Sequence, residues 1–121
     1  DGMSSTMYGL TVRWSLEDAP ESVGKALRDY VTGTSIARFT GMPGLRFKTW
    51  RTVAGKWFEG AYVFATAEAR DEFAESFIAT MATAPGSQIV GSSPVLVEPC
   101  EIVAVAEGGA GFIATPVPAD S

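Results

Sequence analysis

Histidine is absent from this chain of 121 residues. That removes Ser/His and Cys/His nucleophilic pairs, His-containing zinc sites and a haem-ligating imidazole together. Cysteine is almost absent: Cys100 stands alone, so no intrachain disulfide framework can form, and the usage suits a reducing, cytoplasmic location. Long apolar runs are missing as well. No stretch of about 18 uninterrupted apolar residues occurs, and the segment from Met3 to Trp14 is broken by Ser, Thr, Gly and Arg, so neither a membrane span nor an export leader is expected. Basic residues are scarce, nine Lys and Arg against fourteen Asp and Glu, for a net charge of −5. With no Lys/Arg run to neutralise a row of phosphates, nucleic acid is not an expected partner.

What is present is the composition of a folded chain, 46% hydrophobic and 19% charged, of a size that supports one core. Asp1 and Gly2 ahead of Met3 carry no pattern. Residues 3–107 read as a single domain, and 108–121, made of Gly, Ala, Pro and other small residues, as a loosely held tail.

Periodicity supplies the elements. From Met7 to Trp14 the side chains alternate, with Tyr8, Leu10, Val12 and Trp14 on one face, the signature of a half-buried strand. Pro20 and Glu21 follow Asp18 as a helix start, and Val23, Leu27, Tyr30 and Val31 recur at helical spacing, predicting a helix to Phe39 with a kink or break near Gly33. Gly41-Met42-Pro43-Gly44 stops it. Leu45 to Val53 and Trp57 to Ala65, joined by Ala54-Gly55-Lys56, read as a hairpin. Ala69, Phe73, Phe77, Ile78 and Met81 form the apolar stripe of a second helix ended by Pro85-Gly86. Val95 to Ala106 reads as a fourth strand with a bulge or sheet edge at Pro99.

The order β-α-β-β-α-β is the ferredoxin-like arrangement, an α+β fold whose four-stranded antiparallel sheet carries both helices on one face. The other face must then meet something, and a second copy of the chain is the expected partner. A hairpin loop of two or four residues would pair Leu45 with Phe64, Phe47 with Tyr62, Thr49 with Gly60 and Arg51 with Phe58 under the helices. Arg46, Lys48, Trp50 and Trp57 would then lie on the open, dimer-forming face. A three-residue loop with a bulge would shift this register.

The stretch Met42-Pro-Gly-Leu-Arg-Phe-Lys-Thr-Trp50, followed by Phe58-Glu-Gly-Ala-Tyr-Val-Phe64 and the helix start Thr66-Ala-Glu-Ala, resembles the dimeric α+β barrel superfamily, with the YdhR family of mono-oxygenases as the nearest match. The resemblance implies two chains joined sheet to sheet and a pocket between sheet and helices. It also implies cofactor-independent oxidation of a small aromatic or polyketide-like substrate. Where the oxygenase branch carries an Asn and, four residues on, a Trp, this chain has Gly60 and Phe64.

On this reading Tyr62 and Arg51 are the candidate catalytic groups, stabilising a substrate anion, and Tyr30, Phe47, Thr49, Phe64 and Phe73 are the candidate binding residues. No cofactor or metal is called for. A solvated strand-end arginine and a core tyrosine are the simpler readings of the first pair. Trp14, Trp50 and Trp57 could make an aromatic box, though core and interface are the more usual places for such rings. Glu59 reads as a base beside Trp50 or, more simply, as a partner of Lys48 or Arg46, and Cys100 as a packed, inert thiol. The alternative function is a non-catalytic homodimer that binds a small ligand or serves only assembly.

Overall fold

The computed structural model describes residues 7–112. The alternating first segment forms β1 (Tyr8–Ser15) and buries Leu10, Val12 and Trp14 on one side. The next stretch is helical throughout but changes pitch: α1 (Val23–Tyr30), a π turn (Val31–Ser35) and α2 (Ile36–Phe39). The π turn falls on the expected weak point, Gly33 between two threonines. There Thr32 Oγ1 donates to the Arg28 carbonyl at 2.9 Å, competing with the regular helical ladder. Gly41 and Gly44, at φ +78° and +84°, then turn the chain into β2 (Leu45–Val53) and β3 (Trp57–Phe64).

Thr66 caps α3 (Ala67–Thr80), accepting from the Ala69 N–H at 3.0 Å, with Glu68 in the first turn complementing the helix dipole. This helix stops at Thr80 and leads through a 3₁₀ turn (Met81–Thr83) into α4 (Pro85–Val90). Pro85-Gly86 thus begins a helix where the sequence suggested only an ending. Pro85 occupies its first turn, and Gly91 closes it at φ +90°. β4 (Leu96–Glu101) is shorter than the expected 95–106.

The sheet order is β2-β3-β1-β4 with every pair antiparallel, the ferredoxin-like α+β fold. β4 lies at an edge, where Pro99 leaves no inner ladder broken. Leu10, Val12, Trp14, Phe58, Tyr62 and Phe64 from one sheet face pack with Val23, Leu27, Phe39 and Val90 from the helices, and this is the core. Along α3 no residue is fully buried; Phe73 and Phe77 are half-buried and Ile78, assigned to its apolar stripe, is exposed.

The hairpin is where the structure departs most from the expectation. Lys56 N–H donates to the Val53 carbonyl across a tight turn with Gly55 at φ +74°, and the loop is three residues long. Leu45 pairs with Phe64 as expected. A bulge between Leu45 and Phe47 then shifts every later pair: Phe47 with Val63, Lys48 with Tyr62, Thr49 with Ala61, Trp50 with Gly60 and Arg51 with Glu59. Because side chains alternate with period two, this step exchanges the faces of β2. Lys48 and Trp50, expected on the open face, lie under the helices; Phe47, Thr49 and Arg51, expected under the helices, lie on the open face.

On that open face Glu59 is completely buried. Arg13 Nε donates to its Oε1 at 2.8 Å and Arg51 Nε to its Oε2, while the Arg13 guanidinium lies 4.2 Å from the centre of the Trp57 ring. Beyond β4 the chain returns across this face, since Phe112 stacks on Phe47 of the far edge strand with ring centres 5.9 Å apart. Of the expected tail, residues 113–121 lie outside the described residues.

Candidate functional site

The bulge and glycine together make a cleft. Gly60 faces Trp50 across the β2–β3 pair, and a Cβ at Gly60 would come within 3.0 Å of Lys48 Cε and 3.2 Å of the Tyr62 ring. The missing side chain is therefore the space through which the Lys48 stem crosses the sheet surface. Above it a cavity of about 170 Å³ opens between the sheet and the helices, walled by Phe39, Lys48, Trp50, Phe58, Phe73 and Phe77. Tyr30 and Arg38 approach from the first helical stretch, and Ser76 and Thr80 add hydroxyls from α3. α4 closes one end: Trp14 Nε1 donates to Ser87 Oγ at 3.1 Å, Ser87 Oγ donates to the Met81 carbonyl at 2.6 Å, and Gly86 lies flat on the Trp14 ring, where any Cβ would sit 2.9 Å from Trp14 Cζ2.

Lys48 is the unusual group here. Its Nζ lies 3.6 Å from the centre of the Phe39 ring, 4.3 Å from that of Tyr62 and 4.5 Å from that of Trp50. Among the described residues no carboxylate lies within ion-pair distance of it or of Arg38. Burial, and after it the charge of Arg38, lower the Lys48 pKa from 10.5 to about 6, whereas the three ring faces pull the other way by attracting a cation. Tyr62 is pushed well above the usual phenol range by burial, with Arg38 opposing and Tyr30 adding to the shift, so its hydroxyl stays protonated at neutral pH.

The sequence-derived site is divided between the two faces. Tyr62 lies buried beneath Lys48, with Phe64 and Phe73 stacked or tilted against it, while Tyr30 and Phe73 line the cavity and Phe64 forms the floor behind them. Phe47 and Thr49 are on the opposite face. Arg51 contributes to the wall of a second cleft of about 260 Å³ beside α1, but its guanidinium is engaged by Glu59 on the open face and does not reach the mouth of the first cavity. Nor do the three tryptophans form one box: Trp14 is core, Trp50 walls both clefts and Trp57 lies on the open face under Arg13. Glu59 pairs with Arg13 and Arg51, not with Lys48 or Arg46, and Cys100 is exposed rather than packed. Arg38 escaped the sequence reading and Lys48 was assigned to the open face; the signal that would have placed Lys48 in the cavity is the three-residue hairpin loop.

Among the described residues no group of three or more His, Cys, Asp or Glu side chains could hold a metal ion, and no helix is long and apolar enough to cross a membrane.

No protein-family model and no curated protein matches the chain. Its fold is similar to that of a protein of unknown function from Nitrosomonas europaea, with a TM-score of 0.64 at 20% identity over 86% of this chain and 96% of the other. A second solved structure, from Chloroflexus aurantiacus J-10-fl, is of a protein provisionally named an antibiotic biosynthesis monooxygenase, with a TM-score of 0.45 at 18% identity over 87% of this chain and 99% of that one. The first likeness shows a shared fold.

Proposed function

We propose that this chain is a cofactor-independent oxygenase of the dimeric α+β barrel type, similar to the YdhR family, acting on a small aromatic substrate in the cavity above Gly60. The observation that carries the reading is an aromatic-walled cleft in which two basic side chains, Lys48 and Arg38, have no carboxylate within ion-pair distance among the described residues. A flat, acidic phenol or enol suits such walls, and its anion meets the Arg38 guanidinium at the lining, with the un-ionised Tyr62 hydroxyl buried beneath Lys48 as support. The substrate anion supplies the electrons. A single-ring phenol with a free para position takes up one dioxygen at that carbon and releases one water to give the para-quinone, a balance that needs no further redox partner. The protein orients the anion and excludes water.

At about 170 Å³ the cavity is small beside the roughly 300–1,000 Å³ of pockets for larger ligands. Single-ring substrates therefore fit as the site stands, and multi-ring polyketide-like ones require Trp50 and Phe58, which also wall the second cleft, to move. The homodimer belongs to the same reading. Its interface is the open face with Phe47, Val53 and Trp57, of which Phe47 is 37% and Val53 40% exposed, and obligate interfaces of this kind bury about 2,000 Å² or more.

The test is oxidation of catechol-, hydroquinone- and anthrone-like compounds in air by metal-free protein, comparing the wild type with Tyr62→Phe and Arg38→Ala. Oxidation above the buffer rate that falls in both variants supports the reading. If no compound is turned over and none quenches tryptophan fluorescence, the non-catalytic homodimer is the better description.

A further inference from the structure

The geometry points to Lys48 as a reactive amine that captures the carbonyl of a single-ring aromatic aldehyde or ketone as an imine in the cavity above Gly60. This rests on the proposal that the cavity is a substrate site, and it goes further by naming a covalent step and the residue that takes it.

Three observations carry it. Among the described residues the amine is in ion-pair distance of no acid: Lys25, by contrast, is in an ion pair with Asp29 at 2.7 Å on the surface of α1, whereas Lys48 is surrounded by the ring faces of Phe39, Trp50 and Tyr62. The stem is held in place, because Gly60 leaves a channel that the Lys48 methylenes fill. The amine also opens onto a cavity with mostly apolar walls and room for one ring, where Trp50 and Phe39 offer faces for stacking that would hold a carbonyl-bearing ring beside the nitrogen.

The titratable and charged groups near the amine are Arg38 and Tyr30 from the first helical stretch and Tyr62 from β3; the lining residues of α3 and α4 are Phe, Ser, Thr, Ala, Pro and Gly. Burial first, and the charge of Arg38 after it, lower the amine's pKa to about 6 and favour the unprotonated form at neutral pH against the pull of the three ring faces. In the step itself the nitrogen lone pair attacks the carbonyl carbon, a C–N bond forms as the C=O π bond breaks, and one nitrogen proton passes to the oxygen to give the carbinolamine. The C–O bond then breaks and the oxygen leaves as water with the second nitrogen proton, leaving the imine. Atoms balance without an oxidant or reductant.

The chain contains three lysines, Lys25, Lys48 and Lys56, which compete within one molecule. Wild-type protein is incubated at pH 7 with limiting 4-hydroxybenzaldehyde and sodium cyanoborohydride, which reduces any imine to a stable benzylamine, and each lysine is scored by peptide mass spectrometry. The expected result is at least tenfold more label on Lys48 than on Lys25 or Lys56, with unreacted phenol as a competitor removing the excess. Equal labelling of the three, or least on Lys48, overturns the inference. Lys48→Met should lower total label to the level of the two surface lysines, and undiminished label would also overturn it. Tryptophan quenching by the same phenol separates the two proposals. Quenching without Lys48 capture leaves the cavity a binding site and removes the imine, whereas capture without oxidation of any phenol keeps the amine chemistry and removes the oxygenase.

Discussion

Lys48 and Glu59 are charged residues on neighbouring strands of one hairpin, yet the two faces of the sheet treat them in opposite ways. Under the helices a cation is placed among aromatic rings with no counter-charge among the described residues, and its proton is the thing that yields. On the open face an anion is just as thoroughly covered. Burial raises its pKa, but the hydrogen bonds and charges of Arg13 and Arg51 outweigh that and hold the carboxyl below its usual range. The lesson is that covering a charge does not decide its state; what covers it does. Rings and methylenes leave an amine ready for chemistry, whereas a pair of guanidiniums locks a carboxylate into structure.

Phe64→Ala removes a fully buried ring of the covered face and should cost about 3–5 kcal/mol, read as a lower urea midpoint at unchanged m-value. Glu59→Gln comes next. It leaves two partly exposed arginines facing a neutral group and should cost about 1–3 kcal/mol at pH 7. Because the folded-state pKa of Glu59 lies below the ordinary 4.5, its contribution is complete above that value and is lost as pH falls through the depressed one. The variant should therefore lose its disadvantage in acid, and a gap that stayed constant from pH 7 to pH 3 would break the charge argument.

Lys48→Met tests the covered face with the reverse sign. Between about pH 6 and 10.5 the unfolded chain holds a proton that the folded one lacks, so the wild type gains stability as pH rises through that window. Met keeps the length of the side chain without the charge. The variant should melt higher than the wild type at pH 7, with the advantage shrinking toward pH 10; a lower Tm at every pH would show that the rings, not burial, set the state of the amine. The smallest effect is expected for Phe47→Ala on the open face. Loss of its stacking on Phe112 should cost about 1 kcal/mol or less in dilute protein, while sedimentation should show weaker self-association if that face joins two copies.

Much of the fold was legible because it rests on periodicity. The alternation of Tyr8 to Trp14, the helical spacing from Val23 to Phe39 and the turn at Gly41 to Gly44 each has one physical reading, and the structure follows them. Even the π turn at Gly33 follows from weak helix formers in a row. α4 was missed because Pro85-Gly86 looks like a stop, although a proline at a first helical turn with a glycine six residues on is also the mark of a short helix. The cavity was half legible. Tyr30, Tyr62, Phe64 and Phe73 lie on or behind it, since β3 and the helices needed no register decision. Lys48, Trp50 and Arg51 could not be assigned to a face from composition, because one bulged residue near Arg46 reverses the answer.

That bulge has an evolutionary meaning. With a two-residue turn and no extra residue, the same β2 would present Phe47, Thr49 and Arg51 inward and turn Lys48 and Trp50 outward. Strand β2 therefore encodes two different pockets in one stretch of amino acids, and the length of a surface turn selects which is expressed. A lineage that gained or lost one loop residue at Ala54-Gly55-Lys56 would exchange an amine for a guanidinium in its binding site without changing any residue of the site itself. Insertions and deletions at the hairpin tip, usually the most neutral of changes, would here act as mutations of specificity.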